Sequence, residues 1–381
     1  MNLARTLNTA ALCVAALVSG TVNTAYGRDR APDAPFDAEP VAAEQSIDLQ
    51  SSPDGNGGDP AGPAAVEIVD ITLPEKLHGQ GLAVPAKLVR PKQVKKGQKL
   101  PAMLVLHGSG GLTRMPKYKQ KGDPGPCARE MEPQFERWAE RLAARGYVVL
   151  LPSSYEARGF CDMHVDTDRI PKTFDERPEA VLSRLYDVDA ASRWLCDRPE
   201  VDCDRMGLLG FSHGASMVIL ALHWQIDHAI ERFRERFGGK LDIEIPDLEP
   251  GRPEFQVGVA YYPGCGLDTV LPLETDEDAP VYDKYHPTAP LRILHGDADP
   301  LVKHCSADAG PGTREIQSAQ VAEFLGADDP FRAVVYDGAA HGFDNAGGSG
   351  KDEKASDTAA DRKARDNALQ IALDQLDDNL K

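Results

Sequence analysis

Between Pro101 and Leu106 the chain reads Pro-Ala-Met-Leu-Val-Leu, a run with no polar alternation. A strand with one wet face alternates apolar and polar side chains, so a run of this kind predicts a strand covered on both faces. Tyr147 to Leu151, Met206 to Leu209, Phe255 to Tyr261, Leu291 to Leu294 and Ala333 to Tyr336 have the same character. Segments with helical spacing lie between them. Glu130 to Arg145 sets Phe135, Trp138 and Leu142 on one stripe and stops at Gly146; Glu179 to Leu195, Ile316 to Leu325 and Asp361 to Leu380 read likewise. Strand alternating with helix predicts an α/β fold, a mostly parallel, doubly wound sheet with helices on both faces. Val66 to Leu73 alternates instead, and with Val84 to Val89 it predicts an opening hairpin. Ligands of such sheets bind beyond the carboxyl ends of the strands, so the loops after strands carry the search for function.

The ends of the chain fall outside this pattern. Arg5, the apolar run Ala10 to Val18 and the small residues around Ala25-Tyr26-Gly27 predict a cleaved secretory signal over residues 1–27. The run is short for a bilayer span. Residues 28–64, including SSPDGNGGDPAGPAA, bury too little apolar surface to offset ordering entropy and predict a disordered linker. One domain over residues 65–381 remains, within the size a single α/β core can reach.

Export bears on the cysteines. The chain has seven, and removing Cys13 with the signal leaves six, an even set that an oxidising compartment would pair. Local geometry favours a small loop between Cys196 and Cys203. Pairing Cys127 with Cys161 and Cys265 with Cys305 would staple loops on one face of the sheet, although other connectivities are open. No CxxC pair or HxxxH spacing points to zinc, and no metal site is expected. The net charge of −18 argues against nucleic acid and against stable adhesion to anionic membranes.

Met206-Gly207-Leu208-Leu209 runs into Gly210-Phe211-Ser212-His213-Gly214 and then into an apolar helical stretch. This is GxSxG in a strand-turn-helix setting, where a sharp turn lifts the serine hydroxyl above the sheet and small flanking residues avoid collisions. A serine hydroxyl needs a neighbouring base, and His341, in Asp337-Gly338-Ala339-Ala340-His341-Gly342-Phe343 after the last strand, is the candidate, carried on a loop expected to be flexible. The acid comes from His295-Gly296-Asp297-Ala298-Asp299-Pro300. Asp299 is preferred because Pro300 restricts its backbone, which leaves Asp297 as a turn or capping residue. Donors for a tetrahedral oxyanion are expected from the backbone N–H groups of Ser109, in the glycine-rich loop His107 to Leu112, and of His213 beside the nucleophile. His107 reads as a structural hydrogen-bonding residue. The order Ser, Asp, His is that of the α/β-hydrolase arrangement.

LHGSGG, GFSHG, HGDADPLV and AAHGF, in that order, resemble the dienelactone hydrolase family of the α/β-hydrolases from about Ala65 to the C-terminus. The resemblance implies an eight-stranded core sheet and cofactor-free hydrolysis of a small-molecule ester or lactone by Ser212, Asp299 and His341. Founding members carry cysteine as the nucleophile. Serine at position 212 shifts the expectation towards a general carboxylesterase and away from dienelactone itself. Rival readings are a secreted binding protein on an inactive hydrolase fold and a peptidase on the same scaffold. Retention of nucleophile, base, acid and glycine-rich loop together argues against the first. Tyr155, Arg158 and Tyr262 read as rim tyrosines and a surface arginine. Trp138, Trp194 and Trp224 read as core, and His164, His286 and His304 as solvent-facing or loop-tethering. The stretch 226–252 is either a lid or a decoration of the rim.

Overall fold

The computed structural model describes residues 65–114, 127–162, 178–224, 226–237, 247–248, 250–263, 287–301, 331–345 and 357–381. The expected signal, linker, helix 316–325, Cys265–Cys305 pair and His164, His286 and His304 lie outside these residues.

Eight strands form one sheet: β1 (Val66–Leu73), β2 (Val84–Pro91), β3 (Leu100–Leu106), β4 (Val148–Pro152), β5 (Val201–Phe211), β6 (Val257–Tyr261), β7 (Leu291–Gly296) and β8 (Phe331–Tyr336), in the order β1-β2-β4-β3-β5-β6-β7-β8. β2 runs antiparallel to both β1 and β4, and every other neighbouring pair is parallel. The described helices are α1 (Pro133–Ala144), α2 (Pro178–Cys196), α3 (His213–Ala221), α4 (Ile226–Phe237) and α5 (Ala359–Leu380).

The unalternating strands are buried on both faces as their composition requires. In β3, Ala102, Leu104 and Leu106 enter one cluster with residues of α2, α3 and α4, while Met103 and Val105 enter another with α1 and α5. Each cluster removes apolar surface from water on its own side of the sheet, and this burial is the main force holding the layers together. β5 is longer than the apolar stretch Met206 to Leu209, because its polar beginning also pairs with β3 at Val201. α1 starts with Pro133 in its first turn, buries Phe135, Trp138, Ala139 and Leu142, and gives way to Gly146 at φ 94°. α5 turns Ala364, Ala368 and Ala372 inward at four-residue spacing, and these small side chains admit a close approach to the sheet.

Among the described residues two cystines form: Cys196–Cys203, which the short loop favoured, and Cys127–Cys161, one of the connectivities left open. α4 buries Ile226 and Ile230 in the same cluster as α2 and α3. That half of the 226–252 stretch is therefore a scaffold helix. Trp138 is buried, and Trp194 packs against the core. No helix among the described residues is long and apolar enough to cross a membrane.

Candidate active site

β5 ends at Phe211 and α3 begins at His213, leaving Ser212 to turn the chain alone at φ 51° and ψ −116°. A non-glycine residue pays steric strain in that region, and the surrounding structure must hold it there. Ser212 N–H donates to the Tyr261 carbonyl at 2.9 Å, and its own carbonyl accepts from Ser216 N–H at 3.1 Å. The flanking glycines are required for the turn. A Cβ at Gly210 would lie 2.3 Å from the Gly214 oxygen, and one at Gly214 would lie 2.2 Å from the Leu106 oxygen. The sequence motif thus encodes a close crossing of backbone on backbone.

Three distant segments meet above this turn. His341 Nε2 lies 3.0 Å from Ser212 Oγ, and His341 Nδ1 lies 2.6 Å from Asp299 Oδ2. Asp299 is buried, whereas the His341 side chain is 36% exposed. Burial opposes ionisation of Asp299, but the hydrogen bond and charge of His341 outweigh it, and the carboxyl sits below its usual range. Asp297 has the other duty expected of it: its Oδ1 accepts from Gly338 N–H at 2.6 Å. The glycine-rich loop passes beside the serine, for a Cβ at Gly108 would lie 3.3 Å from Ser212 Cβ. This brings the segment carrying Ser109 alongside the segment carrying His213.

The loop bearing His341 is firmly anchored, contrary to the flexibility expected of it. Ala340 N–H donates to Asp361 Oδ1 at 2.8 Å, and Asp361 also forms a reciprocal capping box with Thr358 at the start of α5. Ala298 N–H donates to the Ala339 carbonyl, and Arg365 Nε donates to the Phe343 carbonyl. Asp344, three residues beyond His341, accepts from Tyr262 Oη, from Gln134 Nε2 at 2.9 Å and from Trp138 Nε1 at 3.3 Å. Burial raises the Asp344 carboxyl above its ordinary value, since these donors are all neutral.

Tyr155, Arg158 and Tyr262 need correction. The tyrosines are 2% and 3% exposed rather than at the rim. Tyr262, at φ 36°, sets its ring edge-on to His341 with centroids 4.8 Å apart. Tyr155 packs edge-on against His107 at 4.6 Å. Arg158 is half-buried and holds both oxygens of Asp187, at 3.0 and 3.1 Å. Their apolar neighbours in space come from other segments, which composition around each residue does not reveal.

His107 is fully buried with Nδ1 on the Gly108 carbonyl, and burial followed by the charge of Arg184 pushes its basicity well down. Two buried groups escaped the sequence reading. His295 stands 3.6 Å from Asp299 Oδ2, behind the acid, and burial lowers its basicity. Arg184 bonds His213, directly after the Ser212 turn, and the carbonyl of His107, at the start of the glycine-rich loop. Arg184 is a helix-interior position with no local motif to mark it, and His295, although it opens HGDADP, carries no local signal of a place behind Asp299.

The description dienelactone hydrolase family matches residues 129–231, from the segment before α1 through the Ser212 turn into α4. Among solved structures, a dienelactone hydrolase-like promiscuous phosphotriesterase from metagenomic libraries is 14% identical with a TM-score of 0.51, covering 83% of this chain and 100% of its own. A protein designated m3DLH is 19% identical with a TM-score of 0.50 and the same coverage. Identities this low speak to the fold alone. No curated protein sequence matches the chain. Residues 129–231 thus match the dienelactone hydrolase family, and the eight-stranded order with the shared fold makes this an α/β-hydrolase fold.

Proposed function

We propose that the protein is an exported serine hydrolase of carboxylic esters or lactones, acting through an acyl-enzyme on Ser212. The observation that carries this reading is the unbroken relay from Asp299 to His341 to Ser212, at 2.6 and 3.0 Å, set on a strained turn. His341 Nε2 takes the Ser212 proton as Oγ attacks the ester carbonyl, then gives it to the leaving alcohol; water, activated by the same nitrogen, later releases the acid. Asp299 keeps the other proton on Nδ1 and stabilises the imidazolium. The backbone N–H groups of Ser109 and His213 are assigned to the oxyanion, which forms where α3 begins and the helix dipole favours negative charge. Burial of Asp299 keeps water from screening its effect on the imidazole.

Export is supported by the apolar N-terminal run and by two cystines, bonds that a reducing cytosol would not retain. The test is labelling with a fluorophosphonate. The purified protein should be labelled once, at Ser212, and Ser212→Ala should take no label. Failure of the folded, oxidised wild type to react would remove the serine mechanism. A panel of acyl-chain and aryl esters would then rank substrates.

A further inference from the structure

α2 carries Arg184 into the interior with its side chain 2% exposed, and no carboxylate among the described residues forms an ion pair with it. Asp187, which acts on it through space, is bonded to Arg158 and His78. A cation buried in this way is costly, and its hydrogen bonds show where the cost is used. Nη1 donates to His213 Nδ1 at 2.7 Å, and Nη2 donates to the His107 carbonyl at 2.7 Å. Tyr155 lies under the guanidinium at 5.3 Å from ring centroid to Cζ, and its hydroxyl also stands 3.2 Å from His213 Nδ1.

The two arms therefore end on two different segments. One is the residue directly after Ser212; the other is the residue directly before Gly108-Ser109. These are the segments to which the proposed mechanism assigns its two main-chain oxyanion donors. We infer that Arg184 is the positioning residue of the oxyanion site, a planar clamp that sets the distance between the Ser109 and His213 N–H groups. The inference rests on Ser212 being the nucleophile. A guanidinium suits the task because its donors have a fixed fork, whereas a lysine ammonium is a single point that cannot serve both acceptors at these distances. Donation into Nδ1 has a second consequence. It makes that nitrogen an acceptor, so the His213 proton resides on Nε2.

The full-length protein and its Arg184→Lys and Arg184→Gln variants test this. Turnover of p-nitrophenyl acetate is measured per serine titrated by fluorophosphonate, together with affinity for phenylboronic acid, which forms a tetrahedral adduct on the serine. Amide hydrogen exchange is followed at residues 108–111. Both variants should lose about 10- to 100-fold in kcat with KM changed by less than about threefold, because the clamp acts on the transition state. Boronate affinity should fall in parallel, and exchange at 108–111 should quicken while that of β3 and β5 holds. Unchanged exchange at 108–111, or full turnover per titrated serine, would overturn the inference. If the wild type itself neither reacts with fluorophosphonate nor turns over ester, the hydrolase reading fails, and the exchange comparison still decides whether Arg184 holds the loop. Should both variants misfold, imidazole ¹⁵N shifts of the wild type decide: His213 protonated on Nε2 supports the clamp, and protonation on Nδ1 refutes it.

Discussion

Asp187 and Asp344 are both buried carboxylates on the flanks of the same site, yet burial leaves them in opposite states. Asp187 is met by Arg158 at both oxygens and by His78 at 2.8 Å. Burial works against its ionisation, but the charge of Arg158 and the bonds from His78 and Arg158 prevail and hold the carboxyl well below its usual range. Asp344 makes a similar number of hydrogen bonds, all from neutral donors, and there burial prevails and the carboxyl is raised. Counting hydrogen bonds does not predict which way a buried acid moves. The formal charge of the donor decides.

Asp299 extends the contrast, because in the proposed mechanism its partner His341 takes up a proton during the reaction itself. The benefit of that carboxylate should then show in rate rather than in stability. Asp299→Asn is expected to lower kcat by about 10³- to 10⁴-fold, with a small change in Tm. Asp297→Asn, which loosens only the Gly338 N–H contact, should cost no more than about tenfold. Steady-state kinetics on both variants checks the assignment, and a larger loss at 297 would transfer the acid's role there.

Removing the permanently charged pair comes next in size. Asp187→Ala strips the carboxylate that Arg158 and His78 share and should destabilise the fold by about 3–5 kcal/mol, read from urea unfolding. A loss below about 1 kcal/mol would show that Arg158 and His78 find water or another partner.

The pH dependence gives this comparison a sign. Because the folded-state value for Asp187 is depressed, its stabilisation is complete above the usual carboxylate range and disappears as pH falls towards the folded value. Urea midpoints of wild type and Asp187→Asn should therefore differ at neutral pH and converge below about pH 4. Curves that stay parallel down to strong acid would place the effect in packing instead of charge.

Much of this architecture was legible along the chain, and the part that was not shares one cause. The double-faced strands, the Ser212 turn and the loops bearing Asp299 and His341 are marked by local patterns: unbroken apolar runs, GxSxG between strand and helix, a carboxylate before proline at a strand end. The supporting polar groups are marked by nothing local. Gln134 and Asp344 are 210 residues apart, Tyr262 and Asp344 are 82 apart, and Arg184 meets a carbonyl 77 residues away. Arg184 also lies in a helix buried over every residue from Ser183 to Ala191, so an amphipathic reading has no wet face on which to place it. The same holds for the anchoring of the His341 loop. Thr358-x-x-Asp361 is recognisable as a capping box, but its second oxygen reaching Ala340 is a property of the fold.

The smallest effect is the most discriminating. Asp344→Asn keeps a carbonyl acceptor for Trp138 or Tyr262, while Gln134 can turn its own amide to meet the new NH₂ group, so packing is preserved. The charge removed is one the fold holds at a cost. A raised folded-state value means that the ionised form is penalised, with the penalty absent below the usual carboxylate range, growing as pH rises towards the raised value and constant above it. Asp344→Asn should therefore change stability by less than about 1 kcal/mol, and any gain over wild type should appear on the alkaline side, opposite to the pattern for Asp187. Thermal melts across pH on both variants read this directly. A gain confined to acid would mean that the neutral donors around Asp344 compensate burial after all, and that donor number matters as much as donor charge.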